Sequence, residues 1–477
     1  MAKSWANSPA SGLDLYLELT GAGPPGGGLR TRIEEGLREA IRSGRLGLGD
    51  RLPATRALAR DLGVSRGTVL QAYDQLTAEG WIEGRPGSAT LVCVDSAGHL
   101  PRHPMREPPP VRWRFDFRPG RPDASSFPRR AWLRAARRAI TAAPNDAFSI
   151  GDPQGQFALR VELSGYLSRA RGLASAPDRL VVTSGFIQSL GLVARSLPAG
   201  RGKVAMEDPS LPLHRAVVRA TGHEVVPVAV DGDGMRVSQL RGLADIGLVV
   251  LTPNRQHPTG AVLSPHRRAE LVQWARGSGA LVLEDDYDGE FRYDRHPLGA
   301  LQTLDPGVVA YAGTVSKTLA PGVRLGWLVV PEGLLAAVLA QKAHADWQSG
   351  ALDQLAFTEL LRSGAYDRHV RRMRLSYRRR RDLLIGALAA ARPDLVVTGA
   401  EAGLDLLIPL PSPGLEAATL AAARAAGIGL DGLVAGSYYE LGGPAGLLVG
   451  YGATLEATFS RATDALAAAL AGSNGTE

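Results

Sequence analysis

Apolar residues in the first ninety positions recur with the spacing of amphipathic helices. The first predicted helix has its apolar stripe at Leu29, Ile33, Leu37 and Ile41. Two shorter helices are predicted after it, with apolar stripes at Leu58, Ala59 and Leu62 and at Val69, Ala72, Tyr73 and Leu76. Short apolar runs at 81–82 and 90–92 then flank a turn that contains Gly84, Pro86 and Gly87. This order of three helices and a hairpin predicts a winged helix-turn-helix over residues 13–93.

From residue 115 onward, apolar runs of strand length alternate with amphipathic helices. The clearest runs are 180–183, 248–252, 281–283 and 308–312, and each ends in a cluster of polar or glycine residues. Such alternation predicts an α/β domain with a mainly parallel sheet and a smaller α+β C-terminal part, over residues 115–477. Between the two units, 94–114 is rich in proline and lacks periodicity, so we interpret it as a linker.

Composition narrows the protein class. The 477 residues include one cysteine, so a disulfide framework is excluded, and its formal net charge of +7 permits contact with polyanions. We find no signal peptide and no apolar run long enough to span a membrane. The sequence therefore predicts a soluble cytoplasmic protein, and its scattered histidines predict no metal site.

The helix-turn-helix carries basic side chains where a groove-reading module needs them. Ser65 is a natural N-cap for the third helix, and Arg66 and Thr68 occupy its first turn. Arginine at that place can contact guanine through two hydrogen bonds, whereas arginines nearby suit phosphates. The predicted DNA-binding residues, with double-stranded DNA as partner, are Arg51, Arg56, Ser65, Arg66, Thr68, Arg85 and Gly87.

The segment around Lys317 has the composition of an anchor for a phosphorylated aldehyde. A lysine amine can form a Schiff base, while hydroxyls, glycine-rich backbone and arginine hold a phosphate. Parallel strands bring their carboxyl ends to one sheet edge. The polar segments that follow the four strand-length runs named above should therefore converge there. The predicted cofactor-binding residues are Lys317, Thr314, Ser316, Arg324, Ser184, Gly185, Phe186, His257, Asp285 and Tyr287. Asp286 is an alternative to Asp285, since adjacent strand residues point to opposite faces.

These motifs resemble a known family combination. The runs 51–59, 62–69, 72–76 and 79–82 closely resemble the winged helix-turn-helix of GntR-type bacterial regulators. The runs 151–155, 183–185, 207–209, 258–260, 284–287 and 313–326 resemble fold-type I aminotransferases. Together they resemble the MocR branch of the GntR regulators, which includes GabR-like and PdxR-like proteins. The resemblance implies pyridoxal 5'-phosphate as cofactor, with Lys317 as the Schiff-base lysine, Asp285 at the pyridinium nitrogen and Tyr287 at the phenolate oxygen.

Several positions depart from that family. Ile150 stands where a tyrosine commonly reaches a neighbouring subunit's phosphate, and Leu211 replaces an aromatic residue that would stack on the cofactor ring. His257 stands where the family often has asparagine or an aromatic residue. Asp405 stands where it often has histidine. Leu448 stands where an arginine for a substrate α-carboxylate is expected. The covalent anchor is therefore retained, whereas the grip on an ordinary amino acid is altered.

The main hypothesis is a homodimeric transcription regulator that binds DNA and responds to pyridoxal phosphate or to a ligand that reacts with it, such as an amine or an amino-acid-like molecule. The alternative is an active aminotransferase with an accessory DNA-binding module. A third hypothesis, a scaffold that uses the fold only for dimerisation, is disfavoured by the retained Lys317, Asp285, Tyr287 and Arg324.

Overall fold

The chain folds into two compact units. The computed structural model describes residues 6–7, 14–15, 28–84, 89–94, 113–198, 202–294, 298–399 and 401–472. The first unit comprises Met1–Val111 and the second comprises Arg112–Glu477. None of the helices within these ranges is long and apolar enough to cross a membrane.

The first unit is a three-helix cluster with a short hairpin, as predicted. Its elements are β1 (Ala6–Asn7), β2 (Asp14–Leu15), α1 (Leu29–Arg42), α2 (Thr55–Leu62), α3 (Arg66–Ala78), β3 (Ile82–Glu83) and β4 (Leu91–Val92). The predicted apolar stripes of the three helices supply the buried core, except for the exposed Leu29 at the start of α1. Strands β3 and β4 pair antiparallel, and Arg85 and Gly87 between them lie outside the described residues.

One buried arginine ties the first helix of this unit to the end of the third. Arg38 donates to Glu79 at 2.7 and 2.9 Å and to Glu35 at 2.8 Å. Hydrogen bonding to Arg38 lowers the pKa of the Glu79 carboxyl. This arginine is therefore committed to the packing of α1 against α3, in contrast to the exposed arginines described below.

The second unit is built on one large sheet between helices. Its elements as far as the large sheet extends are β5 (Phe115–Asp116), α4 (Arg129–Ala142), α5 (Phe157–Arg171), β6 (Leu180–Thr183), α6 (Phe186–Arg195), β7 (Lys203–Asp208), α7 (Pro212–Ala220), β8 (Glu224–Asp231), β9 (Gly234–Met235), β10 (Ile246–Leu251), α8 (Pro265–Ser278), β11 (Leu281–Asp286), β12 (Val309–Thr314) and β13 (Gly326–Val329). The strand order is β6-β13-β12-β11-β10-β7-β8-β9.

Most strands of this sheet run in one direction. The pairs between β8, β7, β10, β11 and β12 are parallel, whereas β13 is antiparallel to both of its neighbours. The strands are mainly apolar because helices cover both faces of a parallel sheet, and β7 and β11 end in carboxylates. The carboxyl ends of β7, β10, β11 and β12 consequently meet at one edge, which confirms the predicted α/β class.

A smaller α+β part completes the second unit. Helices α9 (Glu332–Ala345) and α10 (Ala351–Arg362) still pack with the large sheet, and α11 (Ala365–Ala391) leads from it into the smaller part. That part contains β14 (Asp405–Pro409), α12 (Pro413–Ala425), β15 (Ile428–Gly429), β16 (Asp431–Gly432), β17 (Gly446–Gly450) and α13 (Phe459–Gly472). Strands β14, β17 and β16 form an antiparallel sheet, and β15 pairs with β5.

Candidate cofactor and DNA-binding sites

A cavity of about 360 Å³ lies at the carboxyl ends of the central strands. Residues from β7, β10, β11 and β12, from the loops after them and from the segment after β5 surround it. The polar and aromatic lining residues are Arg121, Phe186, Glu207, Ser210, His214, Thr252, His257, Asp285, Tyr287, Thr314, Ser316, Lys317, Arg324, Asp431 and Tyr438. Eight of the ten predicted cofactor residues are among them, so the chain brings the predicted segments together in one place.

Lys317 projects its amine into this cavity. Its Nζ donates to the backbone oxygen of Gly120 at 2.5 Å. Burial lowers the pKa of the Lys317 amine, while Asp405, Asp288 and Asp285 act in the opposite direction. A lowered pKa increases the neutral, nucleophilic fraction of the amine, which is the form that attacks an aldehyde.

The two adjacent aspartates at the end of β11 point to opposite sides of the sheet. Asp286 accepts from Arg171 at 2.6 Å, from Tyr311 at 2.6 Å and from Asn254 at 3.1 Å, all away from the cavity. Asp285 faces the cavity, and its Oδ1 is buried without a hydrogen-bond partner. Burial, with the nearby Asp286 charge, raises the pKa of Asp285 well above its ordinary value. A cationic ring nitrogen would compensate this carboxylate.

The groups around Arg324 form a site that suits an anion. Its guanidinium lines the cavity and has no ion-pair or hydrogen-bond partner among the described residues. Gly185 has φ of 113°, and a Cβ at that position would lie 3.6 Å from the guanidinium nitrogens. Thr314 and Ser316 face the same space, with their hydroxyl oxygens 2.9 Å apart. Backbone, hydroxyls and arginine thus form a cradle with the chemistry of a phosphate site.

Ser184 and Gly185 do not themselves line the cavity. The Ser184 backbone N–H donates to Gln188 at 2.8 Å, so it is already used within the turn. Gly185 adopts a left-handed backbone conformation that favours glycine, and Phe186 begins α6 with its ring at the cavity wall. The role predicted for Ser184 stays a prediction.

Tyr287 is held by an arginine that the sequence did not single out. Arg255 donates to the Tyr287 hydroxyl at 2.8 Å and to Asp405 at 2.5 Å, and it lies 3.4 Å from Asp288. All three partners are wholly or largely buried. Asp405, noted above as a departure from the family, therefore compensates a buried guanidinium. The only feature of the sequence that could have indicated this pair is that Arg255 and Asp405 both lie in or near apolar runs.

His257 lines the cavity as a neutral imidazole. Its ring packs edge-on against Tyr287 and Tyr438, with centroids 6.0 and 5.7 Å apart. Burial lowers the pKa of His257 to about 4, and the nearest carboxylate oxygen, on Asp405, is 4.0 Å away. Its place in the lining agrees with a cofactor contact, although its role stays a prediction.

The other departures have clear structural places. Leu448 is fully buried and packs with Leu407, Leu433 and Tyr438, and Leu211 lies against this apolar cluster. The position that could have carried a carboxylate-binding arginine is thus part of a small hydrophobic core. Ile150 lies on the surface, and 82% of its area is exposed.

The sequence-based prediction missed several lining residues. Glu207 accepts from the backbone and hydroxyl of Thr252 at 2.9 and 2.8 Å, and burial raises the pKa of its carboxyl to about 7. His214, Asp431 and Tyr438 come from α7, β16 and the loop after it. Their distance in sequence from Lys317 explains why local motifs did not reveal them.

Of the predicted DNA-binding residues that the structure describes, Ser65, Arg66 and Thr68 lie at the start of α3. Arg56 lies in α2, and Arg51 lies shortly before that helix. Ser65 caps α3, because its Oγ accepts from the Thr68 backbone at 3.1 Å. The side chains of Arg51, Arg56 and Arg66 are exposed and have no ion-pair partner among the described residues. Such free guanidiniums are available for phosphates or base edges.

Comparisons with known proteins agree with both halves of this description. Residues 29–92 match the family described as bacterial regulatory proteins, gntR family, and residues 121–426 match aminotransferase class I and II. The chain belongs to the MocR/PdxR-type GntR regulators. It is 32% identical to the HTH-type pyridoxine biosynthesis transcriptional regulator PdxR of Corynebacterium glutamicum, over 90% of this chain and 93% of that protein. It is 35% identical to the HTH-type transcriptional regulator TauR of Rhodobacter capsulatus, over 76% and 80% of the two chains.

Solved structures agree on the second unit. An archaeal alanine:glyoxylate aminotransferase superposes with a TM-score of 0.68 at 26% identity, covering 74% of this chain and 90% of that one. A kynurenine aminotransferase of Pyrococcus horikoshii has the same TM-score at 24% identity, over 76% and 92% of the chains. The regulator therefore carries a fold-type I aminotransferase domain, as its sequence predicts.

The contrasting environments of the two aspartates predict opposite effects of Asp→Asn substitutions. Asp286→Asn removes the charge that compensates the buried Arg171, so we expect a loss on the order of 3 kcal/mol of unfolding free energy. Asp285→Asn removes a buried carboxylate that lacks a partner, so the ligand-free variant should be more stable than the wild type. Denaturant unfolding of both variants measures the two effects.

The gain from Asp285→Asn should depend on pH. Unfolded aspartate loses its proton near pH 4, whereas burial raises the folded pKa of Asp285. The neutral acid thus stabilises the folded wild type at low pH, and this contribution is lost as pH rises from about 4 through the folded pKa. The unfolding free energy of Asp285→Asn should accordingly increase relative to that of the wild type as pH rises. A constant or shrinking difference between the two would contradict the buried position assigned to Asp285.

Proposed function

We propose that this regulator binds pyridoxal phosphate covalently through Lys317 and changes its affinity for operator DNA when that cofactor, or a ligand reacting with it, is bound. One observation carries the proposal. A lysine amine, a carboxylate without a partner and a guanidinium without a described partner face one cavity of about 360 Å³. Pyridoxal phosphate has an aldehyde, a basic ring nitrogen and a phosphate, which match the three groups, and it supplies an electron-withdrawing ring for amine chemistry.

The residues of the cavity divide the work of holding this cofactor. Asp285 would accept a hydrogen bond from the protonated ring nitrogen, and Tyr287, oriented by Arg255, would donate to the phenolate oxygen. Arg324, Thr314 and Ser316 would hold the phosphate beside the backbone of Gly185. Asp285 is buried and Tyr287 is fixed by Arg255, so these two side chains need little additional ordering on binding.

The arrangement favours sensing over turnover. An aminotransferase must hold the substrate's α-carboxylate, and a charge-assisted pair with arginine is the usual means. Leu448 contributes an apolar side chain at the expected position. The relative named as a regulator of pyridoxine biosynthesis supports pyridoxal phosphate itself as one candidate effector.

An exposed apolar patch on the second unit supports a homodimer. It comprises Leu133, Phe148, Ile150, Phe157, Trp347 and Leu352. These residues belong to neighbouring segments, because α10 packs against α4 and α5, and Trp347 donates to the Gly151 backbone at 3.0 Å. A cluster of exposed aromatic and aliphatic side chains marks an interaction surface. We propose a second copy of this chain as its occupant, since two-fold pairing would also present two α3 helices to paired half-sites.

Covalent cofactor binding is tested by absorption. Wild-type protein mixed with pyridoxal phosphate should gain a protein-bound band in the near-ultraviolet or visible region that borohydride fixes irreversibly. Lys317→Ala should abolish this band because no other cavity residue supplies an amine. Lys203→Ala, at the distant start of β7, is the control and should retain it. A wild-type protein that gains no band would refute the cofactor proposal.

The DNA assignment is tested at Arg66 on fragments of the protein's own promoter region. Arg66→Ala should weaken binding by about 1–3 kcal/mol, because it removes both a charge and a possible two-bond contact to guanine. Arg66→Lys should restore the salt-dependent part of the DNA affinity but not the preference for the operator sequence. Fluorescence anisotropy at several salt concentrations separates these two contributions to binding. Unchanged affinity in Arg66→Ala would show that α3 does not read the operator as proposed.

The dimer is tested by placing a charge in the patch. Leu133→Asp should raise the dimer dissociation constant by roughly tenfold or more, because an interface would have to bury an unpaired carboxylate. Leu375→Asp is a matched control, since Leu375 is equally exposed but lies on α11 outside the patch. Sedimentation equilibrium measures both. Equal dissociation constants for the two variants would rule out this surface.

A further inference from the structure

The cavity wall contains a tilted pair of aromatic residues, the predicted Phe186 and a histidine that no motif identified. Phe186, at the start of α6, and His214, on α7, both line the cavity, and their ring centroids are 4.8 Å apart with an interplanar angle of 50°. Two planar side chains from different helices therefore meet beside the space in front of Lys317. A planar heteroaromatic ligand gains from contact with such rings through offset stacking.

The neighbouring Leu211 does not provide this contact. It lies one helical turn before His214, and its side chain packs against the apolar cluster of Leu407, Leu433, Tyr438 and Leu448. Leu211 is the N-cap residue of α7 and His214 lies in the first turn of that helix, and both line the cavity. His214 thus places a ring close to the position where an aromatic residue at 211 would stand.

The surroundings of His214 suit stacking better than hydrogen bonding. Neither imidazole nitrogen bonds to a described protein group, and the ring is partly buried. Burial lowers the pKa of His214 to about 3, and the neighbouring basic groups of His257, Lys317 and Arg215 act in the same direction. The imidazole is consequently neutral at physiological pH. A neutral aromatic face attracts a cationic ring, whereas an imidazolium would repel it.

We propose that His214 is a cofactor-positioning residue, whose neutral imidazole stacks on the protonated pyridine ring of the cofactor and replaces the aromatic residue missing at 211. The proposal rests on the proposed function, because it requires pyridoxal phosphate in this cavity. It assigns the imidazole a packing role and no proton transfer. The ring should therefore be replaceable by another aromatic side chain of similar breadth.

The test compares three variants of the full-length protein with pyridoxal phosphate as probe. His214→Ala should raise the dissociation constant roughly three- to tenfold, the range expected for the loss of one aromatic contact. His214→Phe should bind within about twofold of the wild type, because it keeps a planar ring. Leu213→Ala, the adjacent exposed position on the same helix, is the matched control and should bind as the wild type does.

Circular dichroism of the cofactor band supplies a second readout that a general loss of stability would not mimic. A ring held rigidly in the asymmetric cavity gives an induced signal, so His214→Ala should diminish it at saturating cofactor while His214→Phe retains it. Thermal unfolding of the ligand-free variants checks that each is folded.

The outcomes separate this inference from the proposed function. If the wild type gains no cofactor band, the proposed function fails. If the wild type binds and His214→Ala matches it in affinity and circular dichroism, the stacking role alone is overturned. Equal impairment of His214→Ala and His214→Phe would also overturn it, because the imidazole's polarity would then matter rather than its ring.

Discussion

The structure of the second unit depends on one constraint, which is the cost of burying a charged side chain that has no partner within the protein. Moving a carboxylate or guanidinium out of water is costly unless an opposite charge or several hydrogen bonds compensate it. The second unit nevertheless buries Asp285 beside the cavity with one carboxylate oxygen unpaired. The surrounding sheet and helices bury enough apolar surface to tolerate this group. Its presence makes sense if a ligand with a cationic group completes the site.

The same constraint explains the changes around Tyr287. A buried arginine at 255 would be destabilising alone, but Asp405 accepts from it at 2.5 Å and the Tyr287 hydroxyl at 2.8 Å. The aspartate at a position where the family often has histidine is thus one half of a buried pair. At the neighbouring strand, Leu448 joins an apolar cluster, so this position supplies no arginine. The two departures from the family thus serve internal charge pairing and hydrophobic packing.

The two units use arginine in different ways, and burial distinguishes the uses. Arg38 is committed to two glutamates and joins α1 to the end of α3, so it serves the fold. Arg51, Arg56 and Arg66 stay exposed without described partners and are available for a polyanion. Net charge does not separate these roles, because each arginine contributes equally to it. The distinction requires the distance from each guanidinium to a carboxylate.

Local physical chemistry made much of this protein readable from its residues. Helical periodicity and an N-cap serine located α1 to α3, and strand-length runs located β6, β10, β11 and β12, because these signals depend on near neighbours. The lysine, glycine and arginine of the cofactor cradle were also recognisable as motifs. Tertiary structure decided which of Asp285 and Asp286 faces the cavity, since both occupy the same strand end. It also brought Gly120 to Lys317, His214 to Phe186, and Arg255 to Tyr287. Those contacts depend on strand order and helix packing across long separations, about which local patterns carry no information.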